Sequence, residues 1–305
     1  MKILITGAGG NLGRALVPAL LAQGHTPRLM DFRQIETLQE FVQGDVRNAE
    51  DVRRAMAGVD VVVHAAALHG IHLSKWTPQD FWEINATGTF QVYEAARQAG
   101  VTRVVLCSTM GVYGSSAHPP EDAWNVVTED LPCLPTDVYG LTKETCETMG
   151  NCYARRWRIT TVALRLGMFV PEPNLERYGF RLLFGGVDDR DVTQAVLQAL
   201  TYSPPEGFDF FNIMADVPFQ PADTRALQHD PVTVVAHYYP GYQAICAARG
   251  IDPKPLLWGR TIWSIEKAKR LLNYQPHYNF EGFVNALEAG DTAYYPTAGL
   301  PWWGT

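Results

Sequence analysis

Thr6-Gly7-Ala8-Gly9-Gly10-Asn11-Leu12-Gly13 is the stretch on which the reading of the fold turns. An apolar run, Lys2–Thr6 with Ile3, Leu4 and Ile5 in succession, leads into it. Leu12, Leu16 and Leu20 leave it at helical spacing and continue to Gly24. The loop therefore joins a strand to a helix. Glycines at 7, 10 and 13 permit a tight turn, close approach of backbone to a pyrophosphate, and close packing of helix on strand. Phosphates would sit at the positive end of that first helix. Gly7, Gly10, Asn11, Leu12 and Gly13 are the candidate cofactor-binding residues of the loop.

Outward from the loop, short β-branched runs alternate with helical patterns. Thr26–Met30, Phe41–Gly44, Val59–Ala65, Arg103–Ser108 and Thr160–Arg165 read as strands. Phe81–Ala99 and Tyr139–Trp157 read as long helices. Continuously apolar strands separated by helices predict a parallel sheet covered on both faces, an α/β fold of Rossmann-type doubly wound class. Residues 1–166 form the expected dinucleotide-binding domain. Residues 167–305 form a smaller C-terminal substrate-binding lobe, with 188–214 returning to the sheet: Asp189–Leu200 is helical in pattern and Phe208–Ile213 a strand. Ala215 to about Gly259 is proline-rich and weakly periodic, and reads as loops and short elements. Ile265–Leu272 and Phe280–Ala289 are closing helices. The aromatic tail from Tyr294-Tyr295-Pro296 to Trp302-Trp303 reads as packing against the body or a subunit partner.

Composition narrows the class. The chain of 305 residues is 47% hydrophobic and 19% charged, with a net charge of −7. Nothing in it tracks a phosphate backbone, so no nucleic-acid partner is expected. The cluster Arg155-Arg156-Trp157-Arg158 suits a helix C-terminus. Five cysteines without paired or metal-type spacing imply reduced thiols, a cytoplasmic setting and no metal. The opening apolar run is too short for a leader or a membrane span, so no membrane partner is expected.

Asp31 closes the second strand, where a carboxylate accepts hydrogen bonds from the adenosine ribose hydroxyls. A 2′-phosphate would meet like charge there, so the expected cofactor is NAD rather than NADP, although Arg14 and Arg33 lie nearby. Tyr139 and Lys143 open a helix at i, i+4 and share one face. A phenol of pKa near ~10 is a poor base at neutral pH. A neighbouring ammonium and a positive nicotinamide ring favour the phenolate. Ser108-Thr109 ends the fifth strand, at the sheet edge where ligands bind in doubly wound folds. A hydroxyl there can hold the substrate oxygen that Tyr139 deprotonates.

TGAGGNLG, GDV at 44–46, HAAA at 64–67, Asn85 in EINATGT, STMGVYG and YGLTK follow one another as in the extended short-chain dehydrogenases/reductases, the family of NAD-dependent epimerases and dehydratases. The resemblance runs over residues 1–214 and returns faintly at 263–283. It implies adenine contact from Asp45 and Val46 and a nicotinamide floor at Ala65, Ala66 and Ala67. It implies support of the catalytic helix, or a proton path, through Asn85. Thr109 falls at the family's catalytic Ser/Thr position, with Ser108 just before it. By resemblance alone, two copies pair through the Phe81–Ala99 and Tyr139–Trp157 helices as a homodimer.

Two departures narrow the reaction. Met110-Gly111 follows Thr109 where dehydratases of the family carry Asp-Glu. The interval between Leu166 and Asp188 is short for a nucleotide clamp. Both favour hydride exchange between NAD and a small sugar-like substrate, an aldose, uronate or related secondary alcohol; an NAD-dependent nucleotide-sugar 4-epimerase is the alternative. Leu166-Gly167 through Asn174 and Arg177 resembles the uronate dehydrogenases, with Arg177 at the carboxylate arginine, Arg181 a second candidate, and Met168 where the motif has Ser. Ser74, His69 and His72, after the fourth strand, are candidate substrate-pocket residues.

Overall fold

The structure is a computed structural model describing residues 1–117, 126–257 and 261–300. Its strands are β1 (Lys2–Thr6), β2 (Thr26–Asp31), β3 (Glu40–Gln43), β4 (Val61–His64), β5 (Arg103–Thr109), β6 (Val126–Val127), β7 (Thr160–Leu166), β8 (Phe208–Ile213) and β9 (Ile262–Trp263). Seven of them form a parallel sheet in the order β3-β2-β1-β4-β5-β7-β8, and β6 pairs with β9 separately. The chain leaves β1 toward β2 and β3, then crosses back to lay β4 on the other side. That reversal opens a crevice above the carboxyl ends of β1 and β4, the ligand site of such sheets.

The helices are α1 (Asn11–Ala22), α2 (Ala49–Met56), α3 (Pro78–Phe81), α4 (Gly88–Ala99), α5 (Val138–Trp157), α6 (Leu175–Arg181), α7 (Asp189–Ala199), α8 (Thr224–His229), α9 (Pro231–Tyr238), α10 (Tyr242–Ala248) and α11 (Phe280–Ala289). Alternation along β1 explains the layers. Ile3 and Ile5 pack with Leu12, Leu16, Val192 and Val196 on the α1/α7 face. Leu4 packs with Val52, Ala55, Val92 and Ala96 on the α2/α4 face. Each such fully buried side chain contributes about 1.5–3 kcal/mol relative to exposure. A sheet apolar on both faces is stable only when clad on both.

The helix expected over Phe81–Ala99 is interrupted by a π segment, Trp82–Thr87, between α3 and α4. Tertiary bonds replace part of the regular ladder there. The Asn85 carbonyl accepts from Thr89 Oγ1 at 2.5 Å and Cys146 Sγ at 3.3 Å. β8 lies beside β7, with Phe211 opposite Leu164, so the chain rejoins the sheet over 208–213. The region beyond Ala215 is more helical than its prolines suggest: α8, α9 and α10 close on α11 around Phe180, Phe184, Phe219, Tyr242, Phe280 and Phe283. Pro231 is the first residue of α9, where a missing N–H costs nothing. Tyr295 of the aromatic tail stacks on Tyr178 at 3.9 Å; Trp302 and Trp303 lie outside the described residues. Among the described residues no helix is long and apolar enough to cross a membrane.

Candidate active site

A cavity of about 540 Å³ follows the carboxyl edge of the sheet, from Asp31 and Asp45 beyond β2 and β3 to Thr109 and Leu166 on β5 and β7. At its centre the glycine loop does what its composition allows. Gly7 takes φ +68°, and a Cβ there would lie 2.7 Å from the Ala66 backbone. Gly10 caps α1 in extended backbone. Gly7, Gly10, Asn11 and Leu12 line the cavity. Gly13 sits behind it, pressed on the Ala8 carbonyl so that no Cβ fits. Asn11 Oδ1 is buried at the start of α1 without a hydrogen-bond partner among the described residues. A glycine cradle at a helix N-terminus suits a bound pyrophosphate.

Asp31 accepts from the Gly9 N–H at 2.9 Å and the Arg33 N–H at 3.0 Å. A carboxylate has about four acceptor sites; with Arg33 Nε also donating to Oδ1, capacity remains on Oδ2 for a ribose hydroxyl. Arg33 Nε lies 3.4 Å from the same carboxylate. Asp45 also lines the cavity, but its carboxylate is held by Arg47, with Nη2–Oδ2 at 2.6 Å. Val46 is buried against Gly88. Ala65, Ala66 and Ala67 form the opposite lip. The site therefore fits NAD along its length.

Tyr139, Lys143, Ser108 and Thr109 meet at the far end. The Thr109 hydroxyl neighbours the Tyr139 phenol, on which it acts to favour ionisation, and accepts from the Gly111 N–H at 3.1 Å. Lys143 is 4% exposed and donates to the Cys107 carbonyl at 2.8 Å. Burial pushes the phenol up to about 12 and the ammonium down. Both shifts arise from desolvation and favour the uncharged forms. His64, between the loop and Lys143, is held neutral: burial, reinforced by the Lys143 charge, takes it down to about 3. Its ring lies 2.7 Å from Thr6 Oγ1 and 2.9 Å from Thr89 Oγ1.

Several expected residues fall elsewhere. The Ser108 hydroxyl is turned away from Tyr139 and donates to Glu147 Oε1 at 2.5 Å, within the buried Glu147–Arg165 ion pair. Thr109 alone of the two presents its hydroxyl to the phenol. Asn85 is 1% exposed and lies behind the cavity, accepting from the Leu68 N–H at 2.7 Å and donating to Thr142 Oγ1 at 3.0 Å. It ties the Ala65–Leu68 lip to α5. Ser74 is exposed and does not line the cavity, because the turn after Gly70 carries it outward. Arg177 is 63% exposed, also outside the lining, and paired with Glu172 at 3.4 Å. Sequence reasoning missed Glu147 and Glu172. Glu147 stands four residues after Lys143 on the same helix, a spacing that could have shown it. Ile71 and Trp76, which also line the cavity, carry no motif, and Phe169 and Val170 were not singled out within the stretch after Leu166.

Residues 3–174 match the model of the NAD dependent epimerase/dehydratase family. A uronate dehydrogenase from Pseudomonas syringae pv. tomato is 29% identical over 254 residues, 73% of this chain and 88% of that enzyme. An L-arabinose 1-dehydrogenase (NAD(P)+) from Haloferax volcanii is 37% identical over 174 residues, 54% of this chain and 66% of that one. A solved short-chain dehydrogenase/reductase superfamily protein from Agrobacterium tumefaciens, determined with bound NAD, gives a TM-score of 0.69 at 24% identity. That alignment covers 95% of this chain and 96% of the other, and shows a shared fold.

Proposed function

The chain belongs to the NAD dependent epimerase/dehydratase family, and from that premise we propose that it is a dehydrogenase exchanging a hydride between NAD and a CH–OH carbon of a small sugar-like alcohol. The observation that carries the reading is that Thr109, Tyr139 and Lys143 together line one end of a cavity that begins at Asp31. NAD+, when bound, accepts the hydride, and its positive ring draws the buried phenol toward ionisation. Thr109 and Tyr139 hold the substrate hydroxyl between them, and Tyr139 takes its proton. Lys143, fixed by the Cys107 carbonyl, supplies the nearby charge that steadies a phenolate. The Ala65–Leu68 lip, anchored through Asn85, keeps that end in register with the glycine loop.

Similarity to two sugar dehydrogenases supports net oxidation over epimerisation, as does the short wall between Leu166 and Asp188. The test is stoichiometric. Purified protein with NAD+ and a panel of aldoses, uronates and secondary alcohols accumulates NADH if it is a dehydrogenase. A 4-epimerase changes its substrate without accumulating NADH, and that result overturns the proposal.

The exposed Trp82 and Phe90, at the π segment and α4, and Leu141 and Trp157 on α5 supply apolar surface for a homodimer. Light scattering at two protein concentrations tests it. Five free cysteines accord with a reducing, cytoplasmic setting.

A further inference from the structure

The substrate end of the cavity is walled by Ile71, Trp76, Met110, Met168, Phe169 and Val170. Among its described lining residues the full charges are Asp31, Arg33, Asp45 and Arg47, all beyond β2 and β3, and Lys143. A carboxylate-bearing substrate needs a guanidinium fork or its equivalent. Among the described residues, the arginines that follow this wall pair with a carboxylate of the chain. Arg181, whose side chain is 4% exposed, donates to Glu172 Oε1 at 3.1 Å and to the Val170 carbonyl. Arg177 approaches the other oxygen, Glu172 Oε2, at 3.4 Å.

Glu172 is thus the protein's own carboxylate, occupying both cations that flank the segment. The wall itself is pinned: the Met168 N–H donates to the Gly185 carbonyl at 2.9 Å and the Val187 N–H to the Met168 carbonyl at 2.9 Å. A polar contact does remain. The His69 ring sits edge-on to Tyr139, with centroids 6.2 Å apart. Burial, with the Lys143 charge, takes that imidazole down to about 3. It offers a neutral hydrogen bond, suited to a hydroxyl, and no charge.

We propose that the site takes a neutral ring alcohol or hemiacetal with an apolar edge, of the pentose or 6-deoxyhexose kind, and discriminates against uronates. This rests on the dehydrogenase reading and adds the substrate class. The carbinol hydroxyl meets Tyr139 and Thr109, a further hydroxyl meets His69, and the carbon–hydrogen edge packs on Met168, Phe169 and Trp76. A carboxylate at that edge would be desolvated with no cationic partner among the described residues of the wall.

Two sugar series that differ only in the substituent on C5 test it. Galacturonate, galactose, 6-deoxygalactose and L-arabinose make one; glucuronate, glucose, 6-deoxyglucose and xylose make the other. Initial rates of NADH formation give kcat/KM, and calorimetric titration into the Tyr139→Phe variant loaded with NAD+ gives binding without turnover. The expected result is a preference of at least about tenfold for the methyl or hydrogen substituent over the carboxylate, in both readouts. Equal or better use of a uronate overturns the neutral-substrate proposal and leaves the dehydrogenase standing. NAD+ binding without hydride transfer to any member overturns the reading beneath it, and the proposal with it.

Discussion

The two ends of the cavity are held by different kinds of interaction. At the cofactor end the shape is written in backbone: a positive φ at Gly7, no room for a Cβ at Gly13, and an N–H of the loop donating to Asp31 on the neighbouring strand. At the substrate end the shape depends on side chains far apart in sequence. The Glu172 N–H donates to Tyr295 Oη at 2.6 Å, Tyr295 stacks on Tyr178, and Tyr178 donates to Asp188 at 2.6 Å. Arg190 closes the clasp on the Tyr294 carbonyl at 2.9 Å. In the proposed reaction, the sheet edge that would hold the constant part is thereby separated from the wall that would select the variable part. Changes in the second need not disturb the first.

Substitutions that act on one end alone can break that comparison. Tyr139→Phe has the largest expected effect, a fall in kcat of about 10²–10⁴-fold with NAD affinity unchanged. Steady-state rates and a fluorescence titration with NADH check it. Gly13→Ala forces a methyl into the Ala8 carbonyl; it should cost about 1–3 kcal/mol in a denaturant titration and weaken NAD binding. Glu172→Gln should lower stability by about 2 kcal/mol, below the range for a fully buried pair because Glu172 keeps some solvent contact. It should raise the substrate KM and leave NAD affinity alone. Asp31→Asn is the mirror image: NAD affinity about tenfold weaker and substrate KM unchanged. Were both to shift both constants equally, the separation of the two ends would be wrong.

A pH profile sharpens the same contrast. Burial pushes the Tyr139 phenol up to about 12 in the free protein, so at neutral pH the base form is scarce. For alcohol oxidation kcat/KM should rise with pH, toward about tenfold per unit, until cofactor binding or another group levels it. Carbonyl reduction should fall over the same window.

The same division decided what the sequence made legible. Glycine spacing, apolar strands and the Tyr139–Lys143 interval are local patterns, each tied to one backbone geometry. They led to the parallel sheet, the loop and the position of α5. Asn85 was visible as a motif residue, but its place in a π segment depends on Leu68, Thr142 and Cys146, which no local spacing reveals. The resemblance put Thr109 at the catalytic position with Ser108 kept beside it as a candidate; what separates them is Glu147 drawing the Ser108 hydroxyl away. Arg177 and Ser74 lie on segments whose direction is set by tertiary pairing, so position along the chain did not say where their side chains point. The helices α8 to α10 were hidden for a related reason. Short helices are marginal alone, and these are stabilised by packing on Phe180 and Phe280 rather than by propensity.

Isotope tracing puts the central claim at most direct risk. A substrate deuterated at its carbinol carbon, mixed with NAD+ and the protein, should yield deuterated NADH free in solution. A primary isotope effect should appear on the isolated hydride-transfer step, and Tyr139→Phe should suppress the transfer. Deuterium that stays in the sugar, or transfer that survives Tyr139→Phe at full rate, would contradict the account.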